Sequence, residues 1–233
     1  MADLKVMSAG AVKPLVEALG AEFARGKGIA IDFNFGTAGA LRDRIEQGEA
    51  ADLVVIAQAG IGKLGKLGLI DATSVRDIAS TVTGIIVPEG ATAPDVSTPA
   101  AFIQALRDAP SFAYTDPKAG GSGGIMFAAL LEKLGMLDIV NAKAVLCKGG
   151  ADVSAKVAEG RAVLGTTFIS EALPVKGVRV VGPMPGDLHN SNTYSAAVHA
   201  KSARRELALA LLTALTDPAT KPRWTAAGLE PAF

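Results

Sequence analysis

Three short turns of small residues each stand between an apolar run and a stretch with helix-like periodicity. They are Ser8-Ala9-Gly10, Gly36-Thr37-Ala38-Gly39 and Ala119-Gly120-Gly121-Ser122-Gly123-Gly124. A turn that leads from a strand into a helix presents unpaired backbone N–H groups at the positive end of the helix dipole. These turns therefore predict backbone anion sites, and a ligand that carries several oxygens.

Short β-like runs alternate with amphipathic stretches along the whole chain, which predicts an α/β fold with mostly parallel sheets flanked by helices. The predicted strands are Leu4–Ser8, Ala30–Phe35, Leu53–Ile56, Ser80–Val87, Ser111–Tyr114, Lys143–Cys147, Val163–Phe168, Val178–Gly182 and Thr193–Val198. The predicted helices are Val12–Arg25, Ala38–Gln47, Gly60–Leu67, Thr98–Asp108, Gly124–Leu134, Asp152–Glu159, Arg204–Thr216 and Pro218–Ala227. Because 49% of the residues are hydrophobic and only 20% are charged, the chain can bury a core.

Two long β-like passages are predicted to cross between two lobes. The first is Ser80–Val87, which is rich in β-branched residues, and the second runs from Val178 to Val198 and is interrupted by prolines. We therefore expect residues 1–79 and 192–233 to form lobe 1 and residues 80–191 to form lobe 2. The hinge crossings are expected at about 80–87 and 180–194.

Composition excludes several classes of partner. The formal net charge is zero and no basic tract is present, so nucleic acid is not an expected partner. The two histidines, His189 and His199, and the single cysteine offer too few ligands for a transition-metal site, so no metal or other cofactor is predicted. Cys147 lies in an apolar run, which favours a buried structural thiol over a nucleophile.

The sequence is compatible with two cellular locations. No stretch approaches the roughly 20 apolar residues of a membrane span, so membrane insertion is not expected. Met1 is followed almost at once by the first predicted strand, and no signal peptide is recognised. The sequence as it stands indicates a cytoplasmic protein, or a periplasmic one if a leader has been removed.

Several motifs, taken in order, resemble the type 2 periplasmic binding proteins, specifically their molybdate-binding-protein-like branch. The motifs are Lys5-Val6-Met7-Ser8-Ala9-Gly10-Ala11-Val12, Phe33-Asn34-Phe35-Gly36-Thr37-Ala38-Gly39-Ala40-Leu41, Ala51-Asp52-Leu53-Val54-Val55, Thr115-Asp116-Pro117, Gly165-Thr166-Thr167-Phe168, and the tail from Asp217-Pro218 to Gly228-Leu229-Glu230-Pro231. The resemblance implies two α/β lobes joined by two crossing strands that close over a small anion. It also implies an ABC transporter membrane component as partner.

The chain departs from that branch where its members supply hydroxyl donors. Those positions align here with Gly10, Ala38 and Phe168, none of which carries a hydroxyl. A tetrahedral oxyanion would lose three side-chain hydrogen bonds, each worth roughly 1–3 kcal/mol when charge-assisted. An organic di- or tricarboxylate is therefore predicted in preference to molybdate, tungstate or sulfate.

The candidate ligand-binding residues are those of the turns and of the strand ends that follow them. They are Ser8, Ala9, Gly10, Gly36, Thr37, Ala38, Gly120, Gly121, Ser122, Gly123, Thr166, Thr167, Asn190, Asn192 and Tyr194, with Lys118 and Arg42 as the cations. The alternatives are that Ser8 and Thr37 only cap helices, that the glycine turn is a surface loop, and that each cation is a solvated surface charge. Side chains alternate along a strand, so only one of Thr166 and Thr167 should face the ligand, and Thr167 is favoured.

Two functions fit this pattern. The first is a solute receptor that captures a small organic anion. The alternative is a metal-independent isomerase of an unsaturated tricarboxylate such as aconitate, a chemistry that some proteins resembling this family perform by moving a proton. Lys118 and His189, with Tyr114 nearby, are then the candidate acid–base groups. A ligand-sensing domain ranks last because no output helix or DNA-binding module is recognised.

Overall fold

The computed structural model describes residues 3–233 and has the expected α/β architecture. The strands are β1 (Leu4–Ala9), β2 (Ile31–Gly36), β3 (Leu53–Ala57), β4 (Arg76–Pro88), β5 (Phe112–Thr115), β6 (Ala144–Cys147), β7 (Leu164–Phe168), β8 (Val178–Pro183), β9 (Ser191–Val198) and β10 (Glu230–Pro231). The helices are α1 (Lys13–Lys27), α2 (Ala38–Glu46), α3 (Gln58–Lys66), α4 (Pro99–Asp108), α5 (Ser122–Lys133), α6 (Leu137–Asn141), α7 (Gly150–Ala158), α8 (Ile169–Ala172), α9 (Arg205–Leu215) and α10 (Lys221–Ala226). Among the described residues, no helix is both long and apolar enough to span a membrane.

The chain folds into two compact units. Unit 1 comprises the residues up to Ser80 together with Asn192–Phe233, and unit 2 comprises Thr81–Ser191. Strand β4 begins in unit 1 and continues into unit 2.

Unit 1 is built on a sheet whose first strands are parallel. β1 pairs with β2 on one side and with β3 on the other, both in parallel, and β3 pairs with β9 in antiparallel orientation. The carboxyl ends of β1, β2 and β3 therefore share one edge, and a helical segment begins directly after each of them. This edge carries two of the predicted turns. The strands are held by an apolar core that includes Val6, Leu53 and Ile56.

Unit 2 repeats the same design. β5 pairs in parallel with β6 and β7, while β4 pairs in antiparallel orientation with β7 and β8. One core cluster centres on stacked aromatic rings, with Phe112 and Phe127 at 5.4 Å between centroids. The carboxyl ends of β5, β6 and β7 meet at one edge, from which α5, α7 and α8 depart.

Local sequence signals explain several of these boundaries. Thr98 caps α4 by accepting the Ala101 N–H at 3.1 Å, and Pro99 occupies the first helical position, as its sequence predicts. Helix α1 ends at Gly28, which adopts the left-handed conformation with φ of 67°. The elements that were not predicted are short, namely α6, α8 and β10.

Candidate functional site

The N-terminus of α5 is the first candidate anion-binding site of unit 2. Gly121 is the N-cap residue and no side chain caps the helix. The first helical hydrogen bond runs from Ile125 N–H to Gly121 O at 3.1 Å, so the N–H groups before it have no acceptor within the helix. Ser122 stands first in the helix and is half-buried, and its hydroxyl makes no hydrogen bond within residues 3–233. Backbone N–H groups and one unused hydroxyl therefore lie together at this point.

The glycines of this turn are required for different structural reasons. Gly120 ends the preceding 3-10 turn in the left-handed region with φ of 72°, where a side chain would be strained. A Cβ on Gly124 would lie 2.3 Å from Thr115 O, so only glycine lets α5 begin directly against the end of β5. A Cβ on Gly123 would lie 3.2 Å from Cε2 of Phe168. The ring edge of Phe168 thus borders the first turn of α5.

A further helix start, at α7, was not singled out from the sequence. Gly149 precedes the helix and Gly150 opens it, directly after β6 and the intervening Lys148. The pattern of an apolar run, two glycines and a helix is the same one that marks the predicted turns, so the sequence did carry a signal.

The α7 start differs from that of α5 because a carboxyl group of the same chain occupies it. A Cβ on Gly150 would lie 2.1 Å from Oε2 of Glu171 and 2.2 Å from Oγ1 of Thr167. The Gly150 N–H lies beside the Glu171 carboxyl and lowers its pKa. Burial raises the pKa of Glu171 to about 7, against the opposing effects of the Gly150 N–H and the Thr167 hydroxyl.

Thr166 and Thr167 point to opposite sides of β7. The Thr166 hydroxyl donates to Gly84 O at 3.0 Å and is used within the sheet. The Thr167 hydroxyl is buried and lies beside the Glu171 carboxyl, where it lowers the pKa of that group without reaching the geometry of a full hydrogen bond. Thr167 is therefore the residue of the pair that faces a helix N-terminus.

In unit 1, the predicted turns follow β1 and β2. Ser8 is fully buried and donates only a long hydrogen bond, 3.4 Å, to Ala9 O. Ala9 and Gly10 begin a 3-10 turn that has no side-chain cap. Thr37 caps α2, because its hydroxyl accepts the Ala40 N–H at 3.3 Å. The capping role considered for Thr37 is thus present, while Ser8 does not cap the helical segment that follows it.

The candidate cations differ in how they are engaged. Arg42 pairs with Asp43 at 2.5 Å and with Glu46 at 3.3 Å, so its guanidinium is held by its own helix. Lys118 forms no ion pair within the described residues, and its backbone N–H donates to Asp116 Oδ1 at 2.9 Å. Lys118 is therefore the more available cation, two residues before Gly120.

The residues of the second predicted crossing have mixed surroundings. Asn190 Oδ1 accepts the Thr83 hydroxyl at 2.5 Å in unit 2. In unit 1, the buried Nδ2 of Asn192 has no hydrogen-bond partner among residues 3–233. Tyr194 is buried in β9, where it pairs with Ala57. His189 directly follows a 3-10 turn in unit 2.

Tyr114 does not serve as an exposed acid–base group. Its ring is 1% exposed and packs edge-on against Phe127, and its hydroxyl donates to Asn141 Oδ1 at 2.6 Å. Burial raises the pKa of Tyr114. The suggestion that it moves a proton was wrong, because both faces of β5 are buried and Tyr114 lies in the core cluster with Phe112 and Phe127. Cys147 is buried, as predicted, and burial raises the pKa of its thiol to about 12.

A cavity of about 320 Å³ lies elsewhere in unit 1, between α3 and the segment of residues 70–77. Its polar lining consists of Gln58 and Asp77, whose side chains bond each other at 2.9 Å. It presents a carboxylate and apolar carbons, so it does not suit an anion. Within residues 3–233 no group of three or more His, Cys, Asp or Glu side chains is arranged to hold a metal ion.

Comparison with known proteins gives likeness over nearly the whole chain. The family described as bacterial extracellular solute-binding protein matches residues 4–230. An aconitate isomerase from Pseudomonas sp is 30% identical, over 98% of this chain and 87% of that relative. The molybdate-binding protein ModA of Escherichia coli (strain K12) is 25% identical, over 84% of this chain and 76% of that relative.

Solved structures agree with this likeness in fold. The periplasmic molybdate-binding protein of Azotobacter vinelandii superposes with a TM-score of 0.79 at 19% identity, covering 97% of this chain and 98% of the other. At this level of identity the match shows the fold alone.

Proposed function

Since the chain belongs to the bacterial extracellular solute-binding proteins, in the molybdate-binding-protein-like branch of the type 2 periplasmic binding proteins, we propose that it binds a small organic di- or tricarboxylate. The observation that carries the proposal is that hydrogen-bond donors and an aromatic ring edge lie together at the N-terminus of α5. Free N–H groups and the Ser122 hydroxyl suit a carboxylate, and the Phe168 ring edge beside Gly123 suits a carbon skeleton.

The same positions argue against a compact inorganic oxyanion. Gly10 opens a 3-10 turn, Ala38 is the first residue of α2, and Phe168 ends β7. None of these side chains can donate a hydrogen bond. An inorganic oxyanion would contact the aromatic edge of Phe168. It would also lack the hydrogen bonds that hydroxyl side chains at these positions would donate, each worth roughly 1–3 kcal/mol.

Isothermal titration calorimetry against two groups of anions tests the proposal. We expect cis-aconitate, trans-aconitate or citrate to bind, and molybdate and sulfate to give no heat at the same concentration. Tight binding of molybdate with silence from every carboxylate would overturn the proposal.

A matched pair of variants tests the position of the site. Ser122→Ala removes the unused hydroxyl at the start of α5, and we expect a loss of about 1–2 kcal/mol in carboxylate binding, which is roughly a 5- to 30-fold higher Kd. Ser97→Ala makes the same chemical change at an exposed position before α4 and should leave Kd unchanged. Equal affinities for both variants would remove the α5 turn from the site.

A second candidate function is the metal-independent isomerisation of an unsaturated tricarboxylate. The specific observation in its favour is the 30% identity to an aconitate isomerase across 98% of this chain. Lys118, which forms no ion pair within the described residues, and His189 are the candidate groups that move the proton.

Proton NMR of the protein mixed with cis-aconitate separates the two functions. Appearance of trans-aconitate signals would identify an isomerase, and Lys118→Met and His189→Gln would then be compared with the parent for the rate of conversion. Line broadening without new signals would identify a receptor. A receptor would hand its ligand to an ABC transporter membrane component, a partner that fits the relatives described as substrate-binding proteins of such transporters.

A further inference from the structure

A carboxyl group of the protein itself lies where α7 would otherwise receive an anion. Glu171 belongs to α8, and its carboxyl lies against Gly150, the first residue of α7, so closely that a Cβ on Gly150 would be 2.1 Å from Oε2. The missing side chain at Gly150 leaves the space in which this carboxyl and the Thr167 hydroxyl come together. The nine-residue helix α7 is long enough for its dipole to act on that group.

The Thr167 hydroxyl is a second buried polar group at the α7 N-terminus that lacks a full hydrogen bond within the described residues. Thr167 is 4% exposed, and its Oγ1 has no full hydrogen bond among residues 3–233 although it is directed at the α7 N-terminus. Buried hydroxyls are normally satisfied, so such a group needs a partner from outside the chain or a proton shared with Glu171.

The charged groups on the elements that pack against α8 are engaged elsewhere. Asp152 of α7 accepts a backbone N–H at 2.9 Å, Lys156 of α7 pairs with Glu159 at 3.0 Å, and Arg179 of β8 donates to a backbone carbonyl at 2.9 Å. β7 carries no titratable side chain. In the described part of the chain, no cation pairs with Glu171.

A carboxyl group without a cation is poised to accept a proton when a second negative charge approaches, because two carboxylates close together do not both ionise. The three strands that end at this edge deliver α5, α7 and α8 to the same side of unit 2. Gly123 of α5 borders Phe168, and Thr167, the residue before it in β7, lies beside Glu171, so a second carboxylate of a ligand held at α5 would bring negative charge towards Glu171. A neutral carboxyl also gains an O–H donor that an ionised one lacks.

We propose that Glu171, in its neutral form, donates a hydrogen bond to the bound carboxylate ligand, so that binding above neutral pH takes up one proton. Glu171 is then a specificity-determining residue, because its O–H favours a ligand that has a carboxylate oxygen placed to accept this hydrogen bond. This inference rests on the proposed binding of a carboxylate, and it holds whether the ligand is only bound or also isomerised.

The pH dependence of binding follows from the position of the Glu171 titration. Its pKa of about 7 in the free protein means that the carboxyl is ionised above that pH and must be reprotonated on binding. We expect Kd for trans-aconitate to rise about tenfold per pH unit between pH 7.5 and 9, and to be flat below pH 6.5 apart from the ligand's own titration.

Calorimetry with trans-aconitate in buffers of different ionisation enthalpy measures the proton directly. At pH 8.5 the parent protein should take up about one proton per ligand bound. Glu171→Gln should bind with the same Kd at pH 7.5 and 9, because an amide N–H donates at either pH. Glu132→Gln makes the same change at an exposed position of α5 and should retain the parent's pH dependence.

Thr167→Val provides a variant that keeps Glu171. Its hydroxyl lowers the pKa of Glu171, so the valine should move the onset of the loss of affinity to higher pH. A structural role for Glu171, confined to capping α7, would move none of these profiles.

The outcomes distinguish the role of Glu171 from the binding of a carboxylate. No proton uptake at pH 8.5, with Glu171→Gln losing affinity in parallel with the parent, would overturn the inference and leave the carboxylate proposal intact. If Glu171→Gln does not fold, the proton uptake of the parent and the Thr167→Val profile still decide it. Absence of heat with every carboxylate at every pH would overturn both.

Discussion

Gly124→Ala isolates the contact that lets α5 begin directly against β5. The new Cβ would lie 2.3 Å from Thr115 O and 2.9 Å from Thr115 C. Both are backbone atoms of a strand residue that is paired with Cys147 of β6, so the strand cannot yield. The helix must instead shift outward by about 1 Å, which loosens the packing of Phe127 and Leu131 in the core.

The magnitude follows from two opposing terms. Overpacking of this kind costs about 1–3 kcal/mol, and we place it at the top of that range because the partner is backbone. Alanine gains about 1 kcal/mol over glycine in a helix. The net loss of unfolding free energy is about 2 kcal/mol, or a Tm lowered by about 4–8 °C for a chain of this size.

Gly62→Ala is the matched control. Gly62 is an exposed residue inside α3, and a Cβ there would meet nothing within 4 Å. The same substitution should therefore raise Tm by about 2–4 °C. Circular dichroism melts of the parent and both variants measure the difference. A Gly124→Ala protein as stable as the parent would refute close packing as the reason for this glycine.

The remaining predictions concern other parts of the two units. Thr37→Ala should lower the unfolding free energy by about 1 kcal/mol, since α2 loses its cap at Ala40 N–H, and urea titration checks this; an unchanged midpoint would contradict the cap. The pKa of Glu171 rises from its usual 4.5 to about 7 on folding, so its contribution to stability is present below pH 4.5 and lost as pH rises to 7. The parent should lose up to about 3 kcal/mol relative to Glu171→Gln over that window. Parallel pH profiles of the two proteins would contradict the raised pKa of this carboxyl. Native Cys147, with a thiol pKa of about 12, should resist iodoacetamide at pH 8 and react only in denaturant, whereas labelling of the native protein would contradict its burial.

The strands and long helices could be predicted because their signals are local. The run Leu53–Ile56 is apolar throughout and became β3, and the spacing of Leu15 and Leu19 marks the buried side of α1. Helix α8 has four residues and is too short to show a period. Helix α5 begins at Ser122, two residues before the predicted start at Gly124. The prediction was late because glycine has a low helix propensity and the first turn contains two glycines.

The candidate site was less predictable because it depends on tertiary packing. Alternation required Thr166 and Thr167 to face opposite sides, but the sequence could not say which side held a helix N-terminus. Glu171 gave no signal, since a glutamate usually lies at the surface. Its carboxyl is desolvated where α8 meets the glycine that opens α7, a contact between residues far apart in sequence.

The N-termini of α5 and α7 differ in what lies against their unpaired backbone N–H groups. Helix α5 keeps its first N–H groups and the Ser122 hydroxyl free for a ligand, while α7 directs its Gly150 N–H at Glu171. A ligand with a single carboxylate would satisfy the first and only be repelled by the second. A ligand with a further carboxylate can bring its own acceptor to a protonated Glu171, so this arrangement favours a polycarboxylate and makes the proton part of what is recognised.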